Sequence, residues 1–275
     1  MTEERAHRWD PQLYLAHADD RARPFVELLA RVQRPGDAAP RRVVDLGCGP
    51  GHLTALMAER WPQAVVHGLD SSSEMVEAAR RDVPADPRLS FEVADLRSWR
   101  PEEPVDLIVS NATLQWVPDH LALLPHLLAQ LAPGGTLAFQ VPGNEQAPST
   151  LLRRELARDP RFAPYLHGVA EVAAHDPAVY REHLAPVVAA TGGSGAEVDA
   201  WETTYLHVLA GEDPVFEWLS GTGARPTLQA LPDGGDDSPR RRFASELRAA
   251  LRTAYPASEH GTVLPFRRVF VVAHL

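Results

Sequence analysis

From Val43 to Gly51 the chain reads Val-Val-Asp-Leu-Gly-Cys-Gly-Pro-Gly, an apolar run carrying one acid and ending in three alternating glycines. Such glycines let a backbone turn tightly and approach a ligand with no side chain between. The amides of the turn, and of the helix start behind it, are expected to be free to donate hydrogen bonds. A strand, a glycine turn and a helix in this order bind a nucleotide-like ligand. The spacing narrows the choice. A dinucleotide fingerprint runs G-x-G-x-x-G, whereas here the third glycine falls one residue early, at Gly51, and His52 takes its place. Asp45, two residues before Gly47, is poorly placed for a pyrophosphate and well placed for an ammonium group. The plain alternative is a tight turn that binds nothing.

Further acids follow at strand ends. Asp70 lies 19 residues beyond Gly51 and closes the run Ala64–Leu69. An acid there binds both hydroxyls of a ribose, or it caps the next helix, and the two roles can coexist. Asp95 closes a third apolar run, where it accepts the amino hydrogen of an adenine or serves as a turn aspartate. Leu96 beside it packs on the ring or offers its amide. Ser71 and Asn111, also at strand ends, complete this set of candidate ligand-binding residues. Cys48 reads as a small packing residue, with a reactive thiol as the alternative. No histidine pair has ligand spacing with a third partner nearby, so no metal is expected.

The elements that position these residues come from hydrophobic period and turn chemistry. Phe25, Leu28, Leu29 and Val32 have helical spacing, and this second N-terminal helix stops near Pro35-Gly36. An earlier helix is expected around Leu13, Tyr14 and Leu15. Strands are expected at 43–46, 64–70, 89–93, 105–110 and 136–141, with helices between them and a turn at Pro133-Gly134-Gly135. Alternation of strand and helix implies a parallel sheet with right-handed crossovers. Beyond Pro142 helices are expected around Leu151–Leu156 and Val179–Val188. Strand six is expected from Glu197 to Val208 and a last strand from Phe266 to Ala273. Between them lie a short helix at Val215–Leu219, a basic helix at 240–255 and a loop at 233–239. The reading is an α/β fold, a doubly wound Rossmann-like sheet of seven mostly parallel strands with a helical cap. Residues 1–40 form a helical segment covering the site and 41–142 the ligand-binding core. Residues 143–195 form a helical insertion, and 196–275 form the C-terminal strands with a second insertion at 210–262.

Composition bounds the function. The chain has 275 residues, 44% of them hydrophobic, with 27 Lys plus Arg against 37 Asp plus Glu and a net charge of -10. That balance suits neither nucleic acid nor an anionic membrane. One cysteine excludes an internal disulfide and fits a reducing cytoplasm. No apolar run reaches membrane-spanning length, and the charged N-terminus shows no signal peptide.

Val44-Asp45-Leu46-Gly47-Cys48-Gly49-Pro50-Gly51, Leu69-Asp70-Ser71-Ser72, Ala94-Asp95-Leu96 and Asn111-Ala112-Thr113-Leu114-Gln115-Trp116 resemble the class I S-adenosylmethionine-dependent methyltransferases. More narrowly, the chain is similar to the trans-aconitate 2-methyltransferase family. That likeness rests on Trp9-Asp10-Pro11-x-x-Tyr14-Leu15, on Val198-Asp199-x-Trp201-x-Thr203-Thr204-Tyr205-x-His207 and on Phe266-Arg267-Arg268. The resemblance implies methyl transfer from S-adenosylmethionine to one carboxylate of a small acid, trans-aconitate, to give an ester and S-adenosylhomocysteine. A carboxylate is ionised at pH 7, so no general base is expected. Positioning of the reactants carries the catalysis. A tricarboxylate in so acidic a protein needs a local cationic pocket, for which arginine is suited. The candidates are Arg225, Arg267 and Arg23, with Tyr14, Trp116, Tyr205 and His207 completing the pocket. Each arginine can equally be a solvated or structural one. Two other readings stay open: another small acid or a secondary metabolite as acceptor, and a non-catalytic binder of the same cofactor.

Overall fold

The computed structural model describes residues 18–32, 39–191, 193, 196–235 and 237–275, and of residues 18–21 only the backbone. Helix α1 (Ala18–Arg31) precedes β1 (Arg42–Leu46), α2 (His52–Arg60), β2 (Val65–Asp70), α3 (Ser73–Asp82), β3 (Leu89–Val93) and β4 (Val105–Asn111). Helix α4 (His120–Leu128), β5 (Leu131–Pro142), α5 (Pro148–Ala157) and α6 (Pro177–Ala189) follow. The chain closes with β6 (Glu197–Leu209), α7 (Pro214–Ser220), α8 (Arg225–Ala230), α9 (Pro239–Ala254) and β7 (Thr262–His274). Four helices after β5 open on a proline: Pro148, Pro177, Pro214 and Pro239. Proline suits that position because its ring presets the helical φ and its missing N–H would lack an intrahelical acceptor there anyway. At α3 the Ser72 hydroxyl accepts from the Met75 N–H at 3.2 Å, and Glu74 in the first turn complements the helix dipole.

The seven strands lie in the order β3-β2-β1-β4-β5-β7-β6. β1 pairs in parallel with β2 and β4, β2 with β3, and β4 with β5, while β7 runs antiparallel to β5. The strand order reverses between β1 and β4. In open sheets of this kind ligands bind at the carboxyl ends of the strands beside that switch point. The expected turn at Pro133-Gly134-Gly135 is instead an excursion within β5. Val105 pairs with Leu131, but Leu107 pairs already with Thr136, and Gly134 takes a φ of 70° inside the excursion. The strand therefore begins before the glycines, not after them.

The described residues up to Gly143, with Ala174–Thr203 and Arg268–Leu275, make one compact unit; Asn144–Ala173 and Thr204–Arg267 make another. The first unit holds the sheet core, where Leu124, Leu127 and Leu128 of α4 pack with Phe139, Val141, Val269 and Val271. Helix α6, grouped by sequence with the insertion before it, belongs to this unit. Its Tyr180, Leu184 and Val188 recur every four residues and so share one face, which enters the same core. The second unit has its own core of Phe162, Trp218, Phe243, Leu247, Leu251 and Tyr255. Arg153 is buried there, its guanidinium forked on Glu171 at 2.9 and 2.8 Å and bonded to the Thr227 hydroxyl at 3.0 Å. Among the described residues no helix is long and apolar enough to cross a membrane.

Candidate cofactor site at the carboxyl ends of β1, β2 and β4

β1 runs straight into the glycine turn. Gly47, Gly49 and Gly51 all take positive φ, at 77°, 54° and 80°. At Gly47 a side chain is excluded twice over, since a Cβ would lie 2.0 Å from the Thr113 hydroxyl oxygen. At Gly49 a Cβ would meet nothing within 4 Å, so this residue turns a bare backbone toward open space.

The turn's amides are not free, contrary to the expectation from sequence. Gly47 N–H and Cys48 N–H both donate to the Leu69 carbonyl, at 2.7 and 2.9 Å. Gly51 N–H donates to the Cys48 carbonyl at 3.1 Å, and Gly49 N–H donates to the Asp70 carboxylate at 2.9 Å. Pro50 has no N–H. The parallel pairing of Leu46 with Leu69 brings the end of β2 under the turn and produces this arrangement. A phosphate cradle needs unengaged amides, so the turn itself does not form one.

Three acids have distinct surroundings. Asp45 is 2% exposed, and its carboxylate accepts from the Thr54 hydroxyl at 2.7 Å. Burial, reinforced by the nearby Asp70 charge, raises its pKa to about 7 against the lowering effect of Thr54. Asp70 accepts from Gly49 N–H and Ser72 N–H, each at 2.9 Å, and burial pushes its carboxyl up against those bonds. Ser72 itself caps α3, which leaves Asp70 with lone pairs for hydroxyl donors. Asp95 is exposed and carries the Arg97 guanidinium on both oxygens, with Nη2 at 2.7 Å, which holds its carboxyl below the usual range. Arg97 N–H also bonds it, so Asp95 organises its own turn. Leu96 is half-buried against the sheet core, and Ser71 is exposed. Cys48 is buried, and burial followed by Asp45 and Asp70 pushes its thiol up, so it stays protonated.

The end of β4 is stitched to the same turn. The Ser110 hydroxyl donates to the Leu46 carbonyl at 3.0 Å, and the Thr113 hydroxyl to the Gly47 carbonyl at 3.4 Å. Between them Ala112 takes a φ of 55°, a left-handed conformation that costs a non-glycine residue about 1–2 kcal/mol. It is held there by bonds to the Gln140 carbonyl at 2.9 Å and from the Gln115 side chain at 2.6 Å. Strain of this kind collects at functional sites. Asn111, just before it, is 7% exposed, and its Oδ1 accepts from Gln140 Nε2 at 2.6 Å. Gln140 Oε1 accepts in turn from Arg268 Nη1 at 3.2 Å. Sequence reasoning passed over Thr54, Gln140 and Arg268. Gln140 had a signal, a polar residue in an otherwise apolar central strand, but Arg267 and Arg268 fall on opposite faces of β7 and nothing local says which is buried.

The candidate acceptor residues divide between the two units. In the first, Trp116 is half-buried in the short turn after β4, and Arg23 is exposed on α1 and bonded to Glu27 at 2.9 Å. In the second, Tyr205 and His207 are buried on β6, and the His207 ring lies 4.6 Å from that of Trp218. Arg225 is half-buried at the start of α8. Arg267 is half-buried, and its backbone exchanges hydrogen bonds with the Asn144 side chain at 2.8 and 3.0 Å. Tyr14 lies outside the described residues, as do Trp9-Asp10-Pro11 and Pro35-Gly36.

This strand order, with an acid at the end of β1 and of β2 around a glycine turn, is the class I methyltransferase fold. A family model for a methyltransferase domain matches residues 14–185. The chain aligns over nearly its whole length with curated relatives, and it belongs to the trans-aconitate 2-methyltransferase family, whose members use S-adenosylmethionine. The relative from Streptomyces avermitilis is 55% identical over 97% of this chain and 96% of its own. That from Streptomyces coelicolor is 53% identical over 98% and 87%, and that from Mycobacterium tuberculosis 44% identical over 97% of each. Among solved structures, the YcgJ protein of Bacillus is similar in fold, with a TM-score of 0.52 at 14% identity, covering 91% of this chain and 96% of that one. So is a Haemonchus contortus phosphoethanolamine N-methyltransferase in complex with S-adenosyl-L-methionine, with a TM-score of 0.50 at 18% identity, over 90% of this chain and 52% of that one.

Proposed function

We propose that the chain esterifies one carboxylate of trans-aconitate with the methyl group of S-adenosylmethionine, leaving a monomethyl ester and S-adenosylhomocysteine. The observation that carries this reading is the alignment of 44–55% identity, over almost the full length, with relatives that bear this activity in their name. The site's chemistry supports the cofactor half. A buried carboxyl at Asp45 matches an ammonium, a backbone-anchored carboxylate at Asp70 matches two ribose hydroxyls, and a turn without free amides matches a ligand without phosphates. Ser71, Asp95, Leu96 and Asn111 complete the cofactor contacts in this reading. When bound, S-adenosylmethionine supplies a methyl group on a sulfonium, which is already an activated electrophile.

The chain's own residues then need only to bind and orient. The acceptor oxygen is ionised at neutral pH, so no proton has to be removed and no catalytic base is assigned. The new bond is oxygen to methyl carbon, the broken bond is methyl carbon to sulfur, and the electron pair stays on sulfur. Holding the three atoms in line can supply roughly 7–11 kcal/mol. The arginines to test as partners of the acid are Arg225, Arg267 and Arg23, and the further candidates for contact with it are Tyr14, Trp116, Tyr205 and His207. We place the activity in the cytoplasm, because a chain with one cysteine has no internal disulfide to lose in a reducing compartment.

The test is methyl transfer from labelled S-adenosylmethionine to trans-aconitate, cis-aconitate, citrate and isocitrate. Transfer to trans-aconitate well above the other three, as a base-labile ester, is the expected result, and Arg225→Ala should then raise KM. Absence of transfer to all four, with cofactor still bound, would refute the acceptor.

A further inference from the structure

Hydrogen-bond polarity fixes something at the end of β4 that atom positions alone do not. An arginine has five donors and no acceptor, whereas the two ends of a glutamine or asparagine amide are nearly indistinguishable in shape. Arg268 is buried on β7 at 5% exposure, with Nη1 3.2 Å from the side chain of Gln140, which is 1% exposed. The atom that Gln140 turns to Arg268 must therefore be its oxygen. Its NH2 must then be the atom 2.6 Å from Asn111, and Asn111 must meet it with Oδ1. β4 lies between β1 and β5, and Gln140 is on β5. With Oδ1 committed to Gln140, the NH2 is the end of the Asn111 amide left at the carboxyl end of β4. Among the described residues the side-chain hydrogen bond of Asn111 is the one its Oδ1 accepts from Gln140.

We infer that Arg268, acting through Gln140, sets the Asn111 amide so that its NH2 is presented at the strand end as a donor for a ligand carboxylate. The two amide dipoles line up head to tail behind the Arg268 donor. Each bond polarises the next, so the outer NH2 is a stronger donor than an isolated amide and suits an anionic oxygen. The left-handed backbone at Ala112, pinned by the Gln140 carbonyl, holds the strand end where this donor is aimed. Arg268 and Gln140 are thus positioning residues that do not touch the ligand. The assignment rests on the proposed methyl transfer for the ligand's class. The carboxylate belongs either to the amino-acid end of the cofactor or to the acceptor acid, and the two give different readouts.

The decisive variant is Gln140→Glu. It keeps an acceptor for Arg268, now charged, but removes the donor to Asn111, whose amide should turn round and present oxygen to the ligand. The expected result is a melting temperature no lower than that of the parent, with about a ten- to hundredfold loss in one affinity. If the carboxylate is the cofactor's, the loss is in the calorimetric Kd for S-adenosylhomocysteine. If it is the acceptor's, that Kd holds and KM rises for the acid turned over. Arg268→Lys, which retains a donor, should keep most of the affinity that Arg268→Met loses. The Asn111 side-chain NH2 resonance, followed by NMR on adding S-adenosylhomocysteine and then the acid, gives a readout independent of turnover. If the parent enzyme methylates none of the tested acids, the acceptor reading fails while the NMR and calorimetric arms still judge the relay. Gln140→Glu and Arg268→Met leaving Kd, KM and the Asn111 resonance unchanged would overturn it.

Discussion

Replacing Asp45 by asparagine keeps an acceptor for the Thr54 hydroxyl, bonded at 2.7 Å, and deletes a buried charge. The folded carboxyl titrates at about 7 and the unfolded one at 3.8. Its folded pKa is raised, so the stability tied to the neutral form is complete below the unfolded value and is lost as pH climbs through the folded one. The full span amounts to about 4 kcal/mol. Between pH 5 and pH 8 the ligand-free protein should lose about 2–3 kcal/mol through this one group, while the asparagine variant loses none of it. Urea unfolding of both proteins at the two pH values measures the difference directly, since other titrating groups are common to both. Cofactor binding should show the opposite sign. An ammonium selects the ionised carboxyl, so S-adenosylhomocysteine should bind more tightly as pH rises, approaching about a hundredfold across the same window and levelling off above pH 7. In the variant, affinity should be weaker and flat. Equal pH slopes for the two proteins, in unfolding or in binding, would refute the assignment of Asp45 as the buried partner of a cation.

Gly47→Ala should unfold or badly destabilise the turn, because its Cβ lands 2.0 Å from the Thr113 hydroxyl. Gly49→Ala should cost only about 1–2 kcal/mol for its backbone conformation yet still weaken S-adenosylhomocysteine binding. Thermal melting with calorimetry separates the two. Arg153→Leu should lower stability by about 1–3 kcal/mol in urea unfolding, since it strips the buried Thr227 hydroxyl of its partner while the half-exposed Glu171 keeps Arg154. His120 is buried against the Tyr180 hydroxyl at 2.7 Å, and burial, then the nearby His175, pushes its pKa down from 6.5 to about 4. Its contribution to stability should be complete above about 6.5 and fade as pH falls to about 4, a slope that His120→Gln should remove.

The core was legible because local chemistry and global topology agree there. Val43 and Val44 lead into Asp45 and three glycines that no helix or sheet interior would tolerate, and the next acid arrives one helix and one strand later. What escaped the sequence depends on neighbours distant in the chain. The turn's amides are engaged by Leu69 and Asp70 on β2, a consequence of register, which no local pattern encodes. The glycines at 134 and 135 looked like a stop and are an excursion, because Leu131 already pairs with Val105. Helix α6 looked like part of an insertion until its Tyr180 face met the core residues of α4. Of the two adjacent arginines, the sequence pointed to Arg267, yet Arg268 is the one whose guanidinium is buried beside Gln140.

The engaged amides of the glycine turn bear on competition inside a cell. ATP carries the same adenosine as S-adenosylmethionine, so contacts to base and sugar cannot tell the two apart. Discrimination must come from the stretch that follows the sugar. Here a triphosphate would find no donors in the turn and two nearby acids, Asp45 and Asp70, where burial already disfavours negative charge. Each added phosphate would deepen the repulsion, while an ammonium relieves it. The expected consequence is weaker binding of ATP than of S-adenosylmethionine, set by the two buried acids and the engaged amides of the turn.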